Sequence, residues 1–419
     1  MKKAIVFAGG GSKGAYQIGA WKALNELGEE FQIATGTSIG SINAALYTQH
    51  DFDAAYAMWR ELKADDIMVN GINFEKSFDV IFSQRENLIP FIKNYFKAKN
   101  GADVTPFHTM LQKIFCAEKF FGSDIDYALM TVKFPSLDPV EITKRDMLAT
   151  EEPWRWIAAS AACFPVFPLM EINGQEYIDG GYYDNIPVAA AFRLGADEVT
   201  VVDLKTENNH EGYMHHPRVK YIKPSRDLGT FMNFDREAIG FSMELGYNDT
   251  MKAYGKYYGR VFTFLPDEKN EEKYDRAARV FIEKLTRMEA AYDFSASVGK
   301  LQLQRVNKLE GCTTLLARDA GLGSPSERDL FFAALERVLR YFSYAPDTAY
   351  ELSELLYELK SRVDGLYPLL EYDIETAFAT LNRLFCEGRE KEPELKRLED
   401  EREKLIAAAF VRTLQQITC

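Results

Sequence analysis

The sequence lacks a long apolar run. Spanning a bilayer takes about 20 consecutive apolar residues, and no stretch of the 419 residues approaches that length. The apolar run nearest the N-terminus, residues 4–8, is also shorter than the roughly 7–15 residues at the core of a signal peptide. We therefore expect a soluble, cytoplasmic protein whose contact with a membrane would be peripheral.

Basic residues are outnumbered by acidic ones, and cysteines are few. Lysine and arginine number 50 against 63 aspartates and glutamates, which gives a formal net charge of −13. Proteins that bind nucleic acid usually present a basic face, so this balance predicts no nucleic-acid partner. No two cysteines have C-x-x-C spacing, which favours reduced thiols in a cytosolic compartment. The five cysteines are Cys116, Cys163, Cys312, Cys386 and Cys419.

The length of the chain predicts two domains, because a single core rarely grows beyond about 250–300 residues. Residues 3–8 are a short apolar run that ends in glycines, and apolar residues with helical spacing follow over 15–27. The same order of strand, glycine turn and helix repeats from Phe31 through Gly36–Gly40. Two such units in succession are typical of a three-layer α/β/α fold with a mostly parallel sheet.

The pattern changes near residue 267. Before it, the apolar runs predict further strands at Ala128–Val132, Val140–Thr143, Val199–Asp203, Lys220–Ile222 and Val261–Leu265. After it, breaks rich in glycine and proline separate helical stretches, at residues 272–291, 326–343, 347–363, 369–386 and 394–416. We therefore expect an α/β domain over residues 1–267 and an all-helical domain over 268–419. The role of the second domain and the oligomeric state stay open.

The first motif with chemical meaning is Gly36-Thr37-Ser38-Ile39-Gly40, which matches G-x-S-x-G. This spacing puts a serine on a sharp strand-to-helix turn, where the residues two before and two after must be small. The free N–H groups of the following helix favour negative charge at the serine. An ordinary glycine-rich turn could carry the same five residues, but the flanking strand and helix favour a nucleophile.

The second motif is the glycine loop after the first strand, which consists of Gly9, Gly10, Gly11, Ser12, Lys13 and Gly14. Its backbone N–H groups could form an oxyanion hole, or they could hold the pyrophosphate of a dinucleotide, because the loop also satisfies G-x-G-x-x-G. The dinucleotide interpretation needs an acidic residue at the end of the second strand. Glu29 and Glu30 precede that strand instead, which favours the oxyanion hole.

The third motif is Asp179-Gly180-Gly181, which taken alone is a common turn. A serine nucleophile needs a base, and a Ser-Asp-His triad would place a histidine after the aspartate. The histidines that follow Asp179 lie in a polar segment that indicates a surface loop, and the two that precede it suggest surface or packing positions. The histidines after Asp179 are His210, His215 and His216, and those before it are His50 and His108. The residues alone leave the base unassigned.

Together the three motifs resemble the patatin-like phospholipases. The likeness extends through Ala158–Pro165 and Asp179–Pro187 and covers roughly residues 3–267. It implies a catalytic dyad of Ser38 and Asp179 without histidine, an acyl-enzyme intermediate, and neither metal nor cofactor. It also implies an oxyanion hole made by Gly9, Gly10 and Gly11. The residues that complete the motifs are Ser12, Lys13, Gly14, Gly36, Gly40, Gly180 and Gly181.

Two positions depart from the family pattern, since Ala8 stands where plant members carry an acidic residue and Lys13 where many members have arginine. Neither change touches the dyad. An ordinary aspartate is a weak base, with a pKa near 3.9, so we expect burial to raise the pKa of Asp179.

The predicted function is hydrolysis of acyl esters, with phospholipid or lysophospholipid as the substrate class that the resemblance implies. Two alternatives are a nucleotide-binding α/β protein and a non-catalytic lipid-binding protein.

Overall fold

The structure, a computed structural model, describes residues 1–69, 102–205, 211–299, 311–321, 324–346, 348–366 and 401–416. The chain divides into two units, Met1–Ala253 and Tyr254–Cys419. The division therefore precedes the expected boundary at 267. The reason is that the strand at Thr263–Leu265 pairs within the second unit and does not join the sheet of the first.

Short apolar runs form the sheet of the first unit. Its strands are β1 Lys3–Phe7, β2 Ile33–Thr37, β3 Asp126–Phe134, β4 Pro139–Thr143, β5 Met170–Ile172, β6 Gln175–Asp179, β7 Glu198–Val202 and β8 Val219–Ile222. The order is β5-β6-β3-β2-β1-β7-β8, with β4 also paired to β3. Strands β3, β2, β1, β7 and β8 are parallel, whereas β4, β5 and β6 pair antiparallel. The mostly parallel sheet is thus confirmed, with an antiparallel end that the sequence did not predict.

Helices cover this sheet on both faces. Every residue of β2 is buried, and successive side chains of a strand point to opposite faces, so layers lie on either side. The helices are α1 Ala15–Glu26, α2 Ile39–Thr48, α3 Phe52–Glu61, α4 Thr105–Ile114, α5 Ala117–Gly122, α6 Lys144–Leu148, α7 Trp154–Ser160, α8 Val188–Arg193 and α9 Arg236–Ala253.

Helix α9, which the sequence analysis missed, packs closely on α1 through glycines. A Cβ at Gly19 would lie 1.7 Å from the Met243 carbonyl oxygen, and one at Gly246 would lie 1.9 Å from the Tyr16 carbonyl oxygen. Both atoms belong to the backbone of the opposite helix, so neither can move aside alone. The two helices approach each other as closely as they do because both positions lack a side chain.

Gly246→Ala is expected to lower the free energy of unfolding by at least about 2 kcal/mol, because the added methyl group forces the helices apart. Gly240→Ala on the same helix is the matched control. Gly240 is exposed and a Cβ there meets nothing within 4 Å, so alanine should stabilise the helix by up to about 1 kcal/mol. Urea unfolding of both variants measures the difference. Equal stabilities would contradict the close α1–α9 contact.

The second unit is helical, as predicted, although not entirely. Its helices are α10 Glu271–Gly299, α11 Cys312–Ala320, α12 Glu327–Tyr341, α13 Leu352–Leu366 and α14 Glu401–Gln416, and a parallel strand pair joins β9 Thr263–Leu265 to β10 Ala349–Glu351. The buried Glu336 carboxylate accepts the backbone N–H groups of Val261 and Phe262 at 3.0 and 3.2 Å, which anchors the entry into β9. The stretch predicted at 369–386 lies outside the described residues.

Candidate active site

Strand β3 brings the predicted nucleophile and base together. Its residue Met130 pairs with Thr37, the last residue of β2, and the next residue, Thr131, pairs with Asp179, the last residue of β6. Ser38 follows Thr37 directly. Adjacent residues of β3 therefore hold the ends of the two strands that carry Ser38 and Asp179. The Ser38 hydroxyl lies close enough to the Asp179 carboxylate to lower its pKa.

Ser38 occupies the sharp turn that its motif predicted. Its backbone angles are φ 55° and ψ −128°, a conformation that non-glycine residues rarely adopt and that costs roughly 1–3 kcal/mol. The flanking residues Gly36 and Gly40 must be glycine, because other backbone atoms lie where a side chain would begin. A Cβ at Gly36 would lie 2.2 Å from the Gly40 carbonyl oxygen, and one at Gly40 would lie 2.1 Å from the Phe7 carbonyl oxygen.

Asp179 is a buried carboxylate, with 6% of its surface exposed. The Gly181 N–H donates to its Oδ1 at 2.7 Å, and its own N–H donates to the Ala162 carbonyl at 2.9 Å. Burial raises the pKa of Asp179 to about 6, and the Gly181 N–H and the nearby Ser38 hydroxyl, which favour the charged form, offset part of that rise. The shift has the direction that a base acting on a serine hydroxyl requires.

The glycine loop lies against the serine turn, but the structure corrects one of its predicted roles. The Gly9 N–H donates to the Asn185 carbonyl at 3.0 Å, so Gly9 does not have a free N–H for an oxyanion. Within the described ranges, no acceptor pairs with the N–H groups of Gly10 and Gly11. The N–H of Ile39, in the first turn of α2, also lacks an intrahelical partner. The candidate donors are therefore Gly10, Gly11 and Ile39.

The position of this loop also bears on the nucleotide alternative. A Cβ at Gly9 would lie 3.1 Å from the Ser38 Cβ. Strand β2, where a dinucleotide site needs its acidic residue, instead runs straight into the serine turn. These contacts favour an oxyanion hole over a pyrophosphate site.

Ser12 and Gly14 support the loop rather than line it. The Ser12 N–H donates to the Phe231 carbonyl at 2.7 Å, and the Ser12 hydroxyl donates to the Thr230 carbonyl at 3.1 Å. A Cβ at Gly14 would lie 2.6 Å from Cγ1 of Ile39, so this glycine lets the loop pack on the start of α2. The half-buried Lys13 donates its N–H to Gly10 at 3.3 Å.

A buried chain of hydrogen bonds beneath the loop escaped the sequence analysis. The Trp59 indole donates to Asn43 at 3.0 Å, the Asn43 amide donates to Gln17 at 2.7 Å, and the Gln17 amide donates to the Ala8 carbonyl at 2.7 Å. All three side chains have no exposed surface. The chain fixes α1, α2 and α3 to the end of β1, just before the glycines. The signal in the sequence was a polar residue amid apolar neighbours, as in Tyr16-Gln17-Ile18.

Asn185 is another residue to which the sequence analysis assigned no role. Its side-chain amide donates to the Gly9 carbonyl at 3.1 Å, so Asn185 holds both backbone groups of Gly9. The neighbouring segment is fastened to β2, because the Thr37 hydroxyl donates to the Asp184 carbonyl at 2.8 Å and the Thr35 hydroxyl to the Pro187 carbonyl at 3.1 Å. The segment after Asp-Gly-Gly thereby links the glycine loop to the serine turn.

None of the described histidines is a partner of Ser38 or Asp179. His50 and His215 are exposed, His108 is half-buried between Phe107 and Trp154, His216 packs beside Phe192 and Tyr213, and His210 lies outside the described residues. Burial lowers the pKa of His108, and so does the nearby positive charge of Arg155. No three His, Cys, Asp or Glu side chains in the described ranges are grouped as metal ligands would be. Nor does any helix in those ranges have the length and apolarity to cross a membrane.

Comparisons with known proteins identify similarities over about half of the chain. Residues 5–192 match the family model described as patatin-like phospholipase. The lysophospholipase NTE1 of Coccidioides immitis (strain RS) is 28% identical over 211 residues, which is 50% of this chain and 12% of that protein. The lysophospholipase NTE1 of Candida albicans (strain SC5314) is 27% identical over 203 residues, 48% of this chain and 13% of that protein. The matches thus span about an eighth of the length of these relatives.

Two solved structures cover nearly the whole chain but superpose loosely. VipD from Legionella pneumophila has a TM-score of 0.40 at 12% identity, covering 99% of this chain and 91% of that one. The type III effector protein ExoU has a TM-score of 0.33 at 13% identity, covering 97% and 93%. Superpositions this loose support no conclusion about this chain.

Proposed function

We propose that this chain, whose residues 5–192 match the patatin-like phospholipase family model, hydrolyses the acyl esters of lipids through an acyl-enzyme on Ser38. The observation that carries the proposal is the pairing of β2 and β6 with adjacent residues of β3, which places Ser38 beside the buried Asp179 carboxylate. A serine hydroxyl becomes nucleophilic when an adjacent base takes its proton. Asp179 is the base that the sheet places beside it.

In the first half of the reaction, Ser38 Oγ attacks the ester carbonyl carbon while Asp179 takes the hydroxyl proton. The carbonyl oxygen becomes an oxyanion, which the N–H groups of Gly10, Gly11 and Ile39 stabilise. One such donor typically contributes about 10²–10³-fold in rate. The intermediate then collapses. The ester C–O bond breaks, the leaving alcohol receives the proton from Asp179, and the acyl group stays on Ser38.

In the second half, Asp179 takes a proton from water, and the resulting hydroxide attacks the acyl-enzyme carbonyl. The bond from Ser38 Oγ to the acyl carbon breaks, Ser38 recovers its proton, and the carboxylic acid leaves. A base with a pKa of about 6 suits both steps. It is ionised at neutral pH, yet it holds a proton more firmly than an ordinary aspartate.

The substrate class is the finer part of the proposal. The relatives quoted above are named lysophospholipases, which supports a phospholipid or lysophospholipid ester. Such lipids reside in bilayers and micelles, so the protein would meet its substrate at a lipid surface by peripheral contact.

A fluorophosphonate probe tests the proposed function, because it reacts with a serine that a neighbouring base activates. Folded wild-type protein should label at Ser38 and release fatty acid from lysophosphatidylcholine, and Ser38→Ala should do neither. Ser136→Ala is the control, since Ser136 is exposed on the turn after β3 and should label like wild type. Folded wild-type protein that resists the probe, or equal labelling of Ser38→Ala, would exclude a Ser38 acyl-enzyme.

A further inference from the structure

Ser160, the last residue of α7, makes two hydrogen bonds at the serine turn although it has no exposed surface. Its hydroxyl oxygen accepts the N–H of Ser38 at 3.0 Å, and its hydroxyl proton is donated to the Met130 carbonyl at 2.7 Å. Only a group that both accepts and donates can join an N–H to a carbonyl, and a hydroxyl does so with one atom.

The hydrogen bond to Ser160 holds the backbone N–H of Ser38, a residue with a strained conformation. A residue with φ 55° keeps that conformation only where its surroundings over-determine it. The carbonyl side of Ser38 is held by Ser41, whose N–H and hydroxyl donate to it at 2.9 and 2.6 Å. Ser41 belongs to the helix that Ser38 starts. Ser160 comes from another part of the chain, so it supplies the outside constraint on the turn.

The second bond of Ser160 connects the turn to the strand that carries the base. Met130 pairs with Thr37, and the next residue, Thr131, pairs with Asp179 and donates its hydroxyl to the Ile178 carbonyl at 2.8 Å. A path of hydrogen bonds thus runs from the Ser38 backbone through Ser160 to β3 and on to the strand of Asp179. The path fixes the nucleophile relative to the base.

We propose that Ser160 is a positioning residue that keeps the Ser38 hydroxyl aimed at the Asp179 carboxylate. The inference rests on the proposed function, since it concerns the same dyad. Ser160 is fully buried and bonds to backbone groups, so it would act through Ser38 and not on the substrate itself. Its effect should therefore appear in the chemical step and not in substrate binding.

The test is the kinetics of Ser160→Ala in the full chain. We expect kcat to fall about ten- to a hundredfold with KM within about twofold of wild type, and fluorophosphonate labelling of Ser38 to slow by a similar factor. The acid limb of the pH profile should stay in place, because Asp179 remains buried. A variant that merely loosened the site would admit water and move that limb toward the pKa of an ordinary aspartate.

Ser160→Thr returns a hydroxyl and should recover most of the lost rate. If its extra methyl group prevents folding, Ser160→Cys supplies a weak donor and acceptor of similar size and should fall between alanine and wild type. The matched control is Thr48→Val at the far end of α2. It removes a buried hydroxyl that donates to Ala44 at 2.8 Å, so it should lose comparable stability but keep the wild-type kcat.

The outcomes separate this inference from the proposed function. If wild type labels at Ser38 and Ser160→Ala turns over within about twofold of it, the positioning role is overturned and the proposed function stands. Equal rates for Ser160→Ala and its hydroxyl-bearing rescue variant, at equal thermal stability, overturn it as well. Absence of labelling in folded wild type overturns both.

Discussion

Replacing Asp179 with asparagine is expected to reduce turnover by about 10²–10⁴-fold, the usual contribution of a general base, and at the same time to raise the stability of the protein at pH 8. Asparagine keeps a side-chain oxygen that can accept the Gly181 N–H, so the turn should persist. It cannot take a proton from Ser38. The two effects have the same origin, namely a carboxylate that the fold buries in its charged form.

The sign of the stability change follows from the raised pKa. Burial raises the folded-state pKa of Asp179 to about 6, against roughly 3.9 for an unfolded chain. The folded state therefore binds the proton more tightly. The stability this provides is fully present below about pH 3.9 and is lost as the pH rises through 6. Above pH 6 the buried charge costs on the order of 2–3 kcal/mol, which the neutral asparagine avoids.

Thermal unfolding at pH 8 and pH 4 measures this difference. Asp179→Asn should unfold at a higher temperature than wild type at pH 8, and the gap should nearly close at pH 4. The wild-type kcat/KM should rise with pH up to about 6 and then level off, since the base must be ionised. Asp138→Asn, at an exposed position, should change neither property. If Asp179→Asn is no more stable than wild type at pH 8, Asp179 does not carry a buried charge. If its turnover is within tenfold of wild type, Asp179 is not the base.

Gly40→Ala is expected to abolish labelling of Ser38 and to lower the free energy of unfolding by more than about 3 kcal/mol. The added Cβ would lie 2.1 Å from the Phe7 carbonyl oxygen and 2.7 Å from that of Ala8. Both atoms belong to the backbone where β1 enters the glycine loop. Relieving the clash means moving α2, together with the candidate oxyanion donor Ile39, away from that loop.

Gly122→Ala is the control for this substitution. A Cβ at Gly122, the last residue of α5, meets nothing within 4 Å, so the change should stay within about 0.5 kcal/mol of wild type. Chemical denaturation and probe labelling report on the two variants. If Gly40→Ala labels like wild type, the close contact at Gly40 is not needed to hold Ser38 in its reactive position.

The parts of the fold that the sequence predicted are local. Strands β1 and β2, with their glycine turns and following helices, can be read from consecutive residues, because an apolar run and a glycine turn are neighbours in the chain. The strand at Thr263–Leu265 has the same pattern as the others. Apolar character alone does not specify which sheet a strand joins, and for this reason the sequence analysis assigned this strand to the first domain.

Helix α9 was missed because polar residues occupy its buried side. Asn248, Asp249 and Thr250 are all buried, and they hide the apolar stripe that usually identifies a packed helix. Asp249 accepts the Ser225 N–H at 2.7 Å and pairs with Lys252 at 2.8 Å. These partners compensate the burial, but only the folded structure reveals them.

The candidate site shows the same division between local and distant information. Ser38 could be proposed from five residues, whereas Asp179 needed the family resemblance. Ser160 could not be assigned a role, since it contacts Ser38 across 122 positions of the chain, and Asn185 reaches the glycine loop across 176. A single hydroxyl in the run Ala158-Ala159-Ser160-Ala161-Ala162 was a signal, although it did not indicate a partner.

Ser38 and Asp179 lie at the ends of strands on either side of β3, so the pairing that brings them together can change only in discrete steps. Strand pairing slips only by whole residues, each step moves a strand by about 3.3 Å, and a single step turns every side chain to the other face. The strand register that brings Ser38 and Asp179 together is therefore either correct or wrong by a whole residue. Insertions in the long stretch between residues 38 and 126 should leave its geometry intact as long as the pairing of Thr37 with Met130 and of Thr131 with Asp179 survives.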